Sequence, residues 1–211
     1  MQRLGGRSEI RSKAKTKEIG LAYDLIYSLG SAPVFGPRHR PEAEELIRHI
    51  DERHRTLLDV GCGEGQNLVF LARGTNGTLS ITGIDPSRIA ISRAAKRARE
   101  NGVTATLIRG DSRHKRLGTF DVVASFFVMH HIPHPEAFVC NIVDHLSPGG
   151  LLALAYYLNA HAKRESAVVK EADLRSHLLG NGWEELHYAE RNLAGGNNAY
   201  DMTALLIARR G

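Results

Sequence analysis

Apolar and polar positions along the chain repeat with two different periods. Short, almost continuously apolar runs occur at 56–60, 79–84, 104–109, 120–126 and 150–157. Their length and aliphatic content predict buried strands. Between them, apolar residues at three- and four-residue spacing predict helices near 65–74, 87–101, 135–146 and 168–180, with a short one near 112–117. Strands buried along their length and alternating with helices imply an α/β domain whose parallel sheet is covered on both faces. The end of the chain breaks the rhythm. Trp183 to Glu190 and Tyr200 to Arg209 read as strands joined by the Gly- and Asn-rich stretch from Asn192 to Asn198. They predict a terminal antiparallel hairpin.

The N-terminal part is helical in pattern. Ile19, Ala22, Tyr23, Leu25, Ile26 and Leu29 mark a helix over 18–30 that Gly30 ends. A loop with Pro33, Gly36 and Pro37 follows, and Pro41 opens a second helix with Ala43, Leu46, Ile47 and Ile50 on one face. Ahead of these lie Arg3, Arg7, Arg11, Lys13, Lys15 and Lys17 against one acid, Glu9. Such a segment is either a solvated tail or an arm that closes on an anionic substrate.

Composition narrows the class. A chain of 211 residues suits one domain with a small appendage and buries a core without covalent staples. Two cysteines, Cys62 and Cys140, exclude a disulfide scaffold and a four-cysteine zinc site. The net charge of +5 favours anionic partners but does not establish nucleic-acid binding. No run approaches the roughly 20 apolar residues of a membrane helix, and no apolar signal-peptide core begins the chain. The expectation is a soluble cytoplasmic protein without a membrane partner.

The informative stretch is Leu57-Leu-Asp-Val-Gly-Cys-Gly-Glu-Gly-Gln-Asn-Leu68. An apolar strand runs into Gly61, Gly63 and Gly65 and then into a helix. Glycines there allow tight turning and close backbone approach to a ligand, and the helix start offers free N–H groups. Asp59 stands two residues before the first glycine. Asp85 ends the second strand in Ile81-Thr-Gly-Ile-Asp-Pro86, 20 residues after Gly65. A carboxylate at that tip can accept both hydroxyls of a ribose. The spacing alone also fits a dinucleotide enzyme, except that Asn67-Leu68 stand where its third glycine would come.

Asp59-Val-Gly-Cys-Gly-Glu-Gly65 closely resembles the first motif of class I S-adenosylmethionine-dependent methyltransferases. Further stretches match in the family's order: Ile84-Asp85, Gly110-Asp111-Ser112, Phe120 to Glu136, and Leu146-Ser-Pro-Gly-Gly-Leu-Leu152. The resemblance covers roughly residues 55–210 and is nearest the ubiquinone-biosynthesis-like and natural-product small-molecule group. It implies a Rossmann-like doubly wound sheet of seven strands ordered 3-2-1-4-5-7-6, with strand 7 antiparallel. It divides the chain into a basic tail with lid helices, 1–50, and a methyltransferase core, 51–211. It implies S-adenosylmethionine as cofactor and S-adenosylhomocysteine as product.

The resemblance also assigns roles. Asp59 and the backbone of Gly61, Cys62, Gly63 and Gly65, with Asn67 at the helix start, would meet the amino-acid end of the cofactor. Asp85 would hold the ribose, Asp111 and Ser112 the adenine, and Pro86 and Ile89 would pack beside the adenine plane. Phe126 and Phe127 would sit where the methyl emerges, and Tyr23 of a Tyr-Asp pair would touch the methionine end from the lid. Asp59 and Asp111 could instead serve turns, Tyr23 an amphipathic packing face, and Phe127 the core. His130 and His131 are candidate general bases, since imidazole titrates near neutrality. The alternative for them is structural, shaping the segment after the fourth strand. A metal role together with His134 lacks a carboxylate companion, so no metal is expected. Arg38, His39 and Arg40 read as loop charges, with contact to an acidic substrate as the alternative.

The acceptor is least constrained. The fourth strand ends Ala124-Ser-Phe-Phe127 rather than in the Asn/Asp-Pro-Pro-Tyr/Phe stretch usual in enzymes that methylate DNA-base or glutamine amines. Residues 1–50 and 158–170 leave room for a small molecule. The expectation is a small metabolite, with anions among the candidates, methylated on oxygen or nitrogen by in-line displacement. RNA or a peptide is the alternative acceptor, and a non-methylating S-adenosylmethionine-binding protein the alternative class. A monomer and a homodimer fit equally well.

Overall fold

Period-two alternation in the apolar runs divides their side chains between two cores, one on each face of a sheet. The computed structural model describes residues 18–29, 36, 38–114, 116–132, 135–158, 182–192 and 202–211. Two helices, α1 (18–28) and α2 (Pro41–His49), precede the sheet. Then come β1 (Thr56–Val60), α3 (Gln66–Gly74), β2 (Ser80–Asp85), α4 (Arg88–Glu100), β3 (Ala105–Arg109), β4 (Phe120–Phe126), α5 (Pro135–Val143), β5 (Leu146–Tyr157), β6 (Trp183–Asn192) and β7 (Met202–Arg210). Leu57, Val122, Leu151 and Ile207 enter one core, with α2 and α3. Their neighbours Leu58, Val123, Leu152 and Leu206 enter the other, with α5. Burial on both faces is why these strands read as continuous apolar runs.

The sheet order is β3-β2-β1-β4-β5-β7-β6. The pairs from β3 to β5 are parallel, whereas β7 runs antiparallel to both β5 and β6. The expected doubly wound order and the terminal hairpin are therefore borne out. Three expectations need correction. The helix expected over 135–146 ends at Val143, and β5 begins at Leu146 rather than at 150. Leu146 pairs with Phe120 and Leu151 with Val122, so Ser147-Pro-Gly-Gly150 bulges out between them, with Gly149 at φ +75°. The short helix expected over 112–117 is one 3₁₀ turn, Ser112–His114, and a second such turn spans Met129–His131.

Strand order reverses between β1 and β4. In an open α/β sheet that reversal opens a crevice at the carboxyl ends of the strands. Asp121 fixes the other end of the same pair: its carboxylate accepts from the backbone N–H groups of Arg55 and Thr56 at 2.7 and 3.0 Å. The helix expected at 168–180, the basic segment 1–17, His134 and the stretch 193–201 lie outside the described residues. Among the described residues no helix is long and apolar enough to cross a membrane.

Candidate functional site

The glycine loop turns at the tip of β1 because three glycines there adopt positive φ. Gly61 (+75°), Gly63 (+53°) and Gly65 (+79°) all lie in the left-handed region. A Cβ at Gly61 would come within 2.2 Å of Val128 Cγ2, so the loop is also held too tightly for a side chain. The N–H groups of Gly61 and Cys62 donate to Ile84 C=O at 2.8 and 3.2 Å, tying the loop to β2. Gly65 is the residue before α3.

Asp85 sits opposite that loop at the end of β2. One carboxylate oxygen accepts from Gly63 N–H at 3.1 Å and the other from Ser87 N–H at 2.8 Å. Burial pushes its pKa up to about 6, while the two N–H donors oppose the rise. Asp59, deeper beneath the loop, is pushed up to about 7, first by burial and then by the Asp85 charge. Its Oδ2 is buried with no hydrogen-bond partner among the described residues, as is the hydroxyl of Ser112 just beyond β3. Asp111 beside it is gripped by Arg113, whose Nε and Nη2 donate to its carboxylate at 3.0 and 2.6 Å.

A cleft opens above these strand ends. Of the residues expected around the cofactor, Gly61, Cys62, Gly63 and Asn67 line it along the loop, and Asp85, Pro86, Asp111 and Ser112 line it beyond. Tyr23, Phe126, Phe127, His130 and His131 complete that set. Asp59, Gly65 and Ile89 do not form its wall. Asp59 lies beneath the loop, Gly65 packs a 3.0 Å Cβ position against Ala94, and Ile89 N–H donates to Asp24. Cys62 also faces the core: its Sγ would lie 2.9 Å from a Cβ at Gly83, and burial pushes its thiol pKa well up.

The other side of the cleft is α1 and the segment at 38–40. The Asp24 carboxylate accepts from Ser87 Oγ at 2.5 Å and from Ile89 N–H at 3.0 Å, capping α4 from outside its own chain segment. Arg93 of α4 donates to Tyr27 C=O and to the buried Glu64, both at 2.6 Å. A Cβ at Gly20 would stand 2.8 Å from Pro86 O. Tyr23 Oη lies 2.6 Å from His131 Nε2, joining α1 to the turn after β4. Burial pushes the His131 pKa down to about 4, and burial together with His131 pushes that of His130 down to about 3. Both rings are neutral at neutral pH.

Sequence reasoning left Arg38 and Arg40 as loop charges; both line the cleft. Asn67 Oδ1 accepts from Arg40 N–H at 2.8 Å and Gln66 donates to Gly36 C=O at 2.9 Å, which draws this segment onto α3. His39 points away, stacked on Phe70 with ring centroids 3.6 Å apart. Phe127 has φ +59°, unusual for a bulky residue and a sign of strain at a site. Its ring lies 5.0 Å from Tyr157 and 5.2 Å from the Arg40 guanidinium carbon. Tyr27 and Tyr157 are further wall residues that no local motif marked, and Gln66, inside the glycine stretch, is another. Outside the cleft wall, Glu45, His49 and His187 bring one ligand atom each within 4.8 Å of one another.

Comparison with known proteins adds relatives to this geometry. A family profile described as a methyltransferase domain matches residues 38–201. Trans-aconitate 2-methyltransferase of Mycobacterium tuberculosis (strain ATCC 25177 / H37Ra) is 34% identical over 134 residues, 63% of this chain and 49% of that protein. The chain thus spans about half the length of this curated relative. Among solved structures, the 4+2 cyclase SpnF superposes with a TM-score of 0.72 at 22% identity, over 92% of this chain and 96% of that one. Magnesium protoporphyrin IX methyltransferase from Synechocystis PCC 6803, solved with bound SAM, gives 0.63 at 22% identity, over 81% and 79%. These likenesses between structures concern the fold.

Proposed function

This chain belongs to the methyltransferase-domain family, of the class I type that uses S-adenosylmethionine, and from that premise we propose that it methylates an oxygen or nitrogen of a small, anionic acceptor. The observation that carries the reading is Asp85. A buried carboxylate with each oxygen fixed by one backbone N–H presents its remaining lone pairs at a set position in the cleft wall. That suits two vicinal ribose hydroxyls. The partnerless hydroxyl of Ser112 and Oδ2 of Asp59 also favour a polar ligand, because buried polar atoms are seldom left without partners.

In this reading Ser112 meets the adenine, and Asp111 is kept in position by Arg113. Gly61 to Glu64 offer backbone to the amino-acid end, with Asp59 supplying negative charge from beneath. When bound, S-adenosylmethionine supplies an electrophilic methyl on a sulfonium. The protein's own contribution is alignment and exclusion of water, which suffices for an in-line displacement. The His131 ring, bonded to Tyr23 and neutral, latches the lid helix instead of collecting a proton. Small acceptors are favoured because α1 and Arg40 form part of the cleft wall, and because the relative named above is a trans-aconitate methyltransferase.

The test is incubation with methyl-labelled S-adenosylmethionine and a small-metabolite extract, followed by size separation. Label in the small-molecule fraction is expected. Label confined to RNA or protein would overturn the acceptor class. Binding of S-adenosylhomocysteine with no label transfer to any fraction would make the chain a non-methylating binder.

A further inference from the structure

The cleft has two chemically different halves. The tips of β1, β2 and β3 carry Gly63, Asp85 and Ser112, the polar contacts assigned above to the methyl donor. The tips of β4 and β5 carry Phe127, His130 and Tyr157, whose rings form a continuous aromatic wall: Phe127 to Tyr157 is 5.0 Å and His130 to Tyr157 is 4.9 Å. Over that wall stands one cation, Arg40, with its guanidinium carbon 5.2 Å from the Phe127 centroid. Resting on the proposed methyl transfer, we propose that the aromatic half with Arg40 is the acceptor subsite, and that the acceptor is a small carboxylic acid methylated on its carboxylate oxygen.

Three observations converge on this class. The first is that Arg40 is built to serve something outside the backbone. Its N–H is held by Asn67 at 2.8 Å, and its C=O accepts from Ala43 N–H at 3.0 Å at the start of α2, so the side chain leaves a fixed point. Among the described residues no carboxylate pairs with it. The lining acids are already engaged: Glu64 by Arg93, Asp111 by Arg113, and Asp85 by backbone N–H groups. A planar guanidinium held over an aromatic ring, with no acid partner among the described residues, matches a planar, two-oxygen anion.

The second observation concerns charge. Arg38 lines the same cleft, and among the described residues no carboxylate pairs with it either, so this side of the cleft favours an anion over a neutral ligand. The third concerns protons. The neutral, half-buried His130 and His131 are poor acceptors for the proton of an alcohol, and His131 faces Tyr23. A carboxylate arrives already ionised and needs no base. One carboxylate oxygen rests on Arg40 while the other forms a bond to the methyl carbon. The carbon–sulfur bond breaks, its electron pair stays on sulfur, the sulfonium becomes a neutral thioether, and a methyl ester forms with no proton moved.

The test pairs binding with product chemistry. Protein loaded with S-adenosylhomocysteine is titrated with trans-aconitate and benzoate, and with benzamide as the uncharged control. Saturable binding is expected for at least one acid and not for the amide. Arg40→Gln should weaken it at least tenfold, and Arg40→Lys should recover part of it. Affinity for S-adenosylhomocysteine itself should be unchanged in both variants. With methyl-labelled donor and the bound acid, mild alkali should release the label as volatile methanol, whereas ether and N-methyl products keep it. The inference is overturned if neither acid binds, if Arg40→Gln leaves acid binding intact, or if the label is stable to alkali. It is equally overturned if Arg40→Gln weakens S-adenosylhomocysteine, which would make Arg40 a donor contact. Failure of the wild-type protein to bind S-adenosylhomocysteine would instead sink the methyl-transfer reading beneath it.

Discussion

The two sides of the cleft are held by different kinds of interaction. The strand-tip side is backbone: Gly61 and Cys62 N–H on Ile84 C=O, Gly63 and Ser87 N–H on Asp85, in residues that the parallel ladder already places side by side. The lid side is attached by single side chains reaching across the chain: Asp24 to Ser87, Arg93 to Tyr27, Tyr23 to His131. The first arrangement is as stable as the sheet. The second depends on a few bonds and can be detached with the sheet intact. Leu21, Leu25 and Ile26 are exposed on α1, so that helix gains little from burial at those positions.

The largest effect should come where the two sides share a residue. Arg93 neutralises Glu64, which is only 2% exposed, while also holding Tyr27. Arg93→Ala leaves a buried carboxylate without its cation and should destabilise the protein by about 3–5 kcal/mol in urea unfolding. A loss below about 1 kcal/mol would mean that Glu64 is solvated or protonated.

Next comes the charge stored on the strand-tip side. Asp59 and Asp85 have folded pKa values raised to about 7 and about 6, against an unfolded value of about 3.9. The folded state therefore binds more protons between about pH 4 and pH 7, and these two groups make stability fall as pH rises through that window. The penalty is fully present above about pH 7. Asp59→Asn should raise the urea midpoint at pH 8 and flatten its pH dependence. An unchanged slope would show that Asp59 ionises normally.

A pair of glycines separates the sides more directly. Gly61→Ala forces a Cβ to 2.2 Å from Val128 at a φ of +75° and should lower both unfolding stability and S-adenosylhomocysteine affinity, by about 1–3 kcal/mol in stability. Gly20→Ala presses on the Pro86 carbonyl from α1 at 2.8 Å. It should weaken ligand binding while the main thermal transition stays put. Equal losses of melting temperature in the two variants would refute the distinction. The smallest effect is expected for Tyr23→Phe, which removes one hydrogen bond to His131. Donor affinity should fall by about 1 kcal/mol, roughly fivefold, with no change in stability.

What could be read in the sequence follows the same division. Strands 56–60 and 120–126 coincide with β1 and β4, because burial on both faces leaves an unbroken apolar run. The glycine loop was legible because positive φ and close approach demand glycine. Asp85 was legible as the acid that ends the second strand, and it is the last residue of β2. The start of β5 was hidden, since Ser147-Pro-Gly-Gly150 carries turn residues that here form a bulge inside a ladder. The lid contacts gave no local signal at all: Tyr23 and His131 are 108 residues apart, Asp24 and Ser87 63. Arg40 looked like an ordinary loop charge, because its place over Phe127 depends on Asn67 holding its backbone.

The most direct test is a calorimetric titration of S-adenosylhomocysteine into the full chain and into Asp85→Asn. The amide keeps only one acceptor oxygen, so one of the two backbone N–H bonds and the charge offered to the ribose are both lost, and the variant should bind about 100-fold more weakly while still unfolding in one cooperative transition. Saturable binding to the wild type with that loss in the variant is the result the account predicts. Equal affinity in the two proteins, or no binding by the folded wild type, would contradict it.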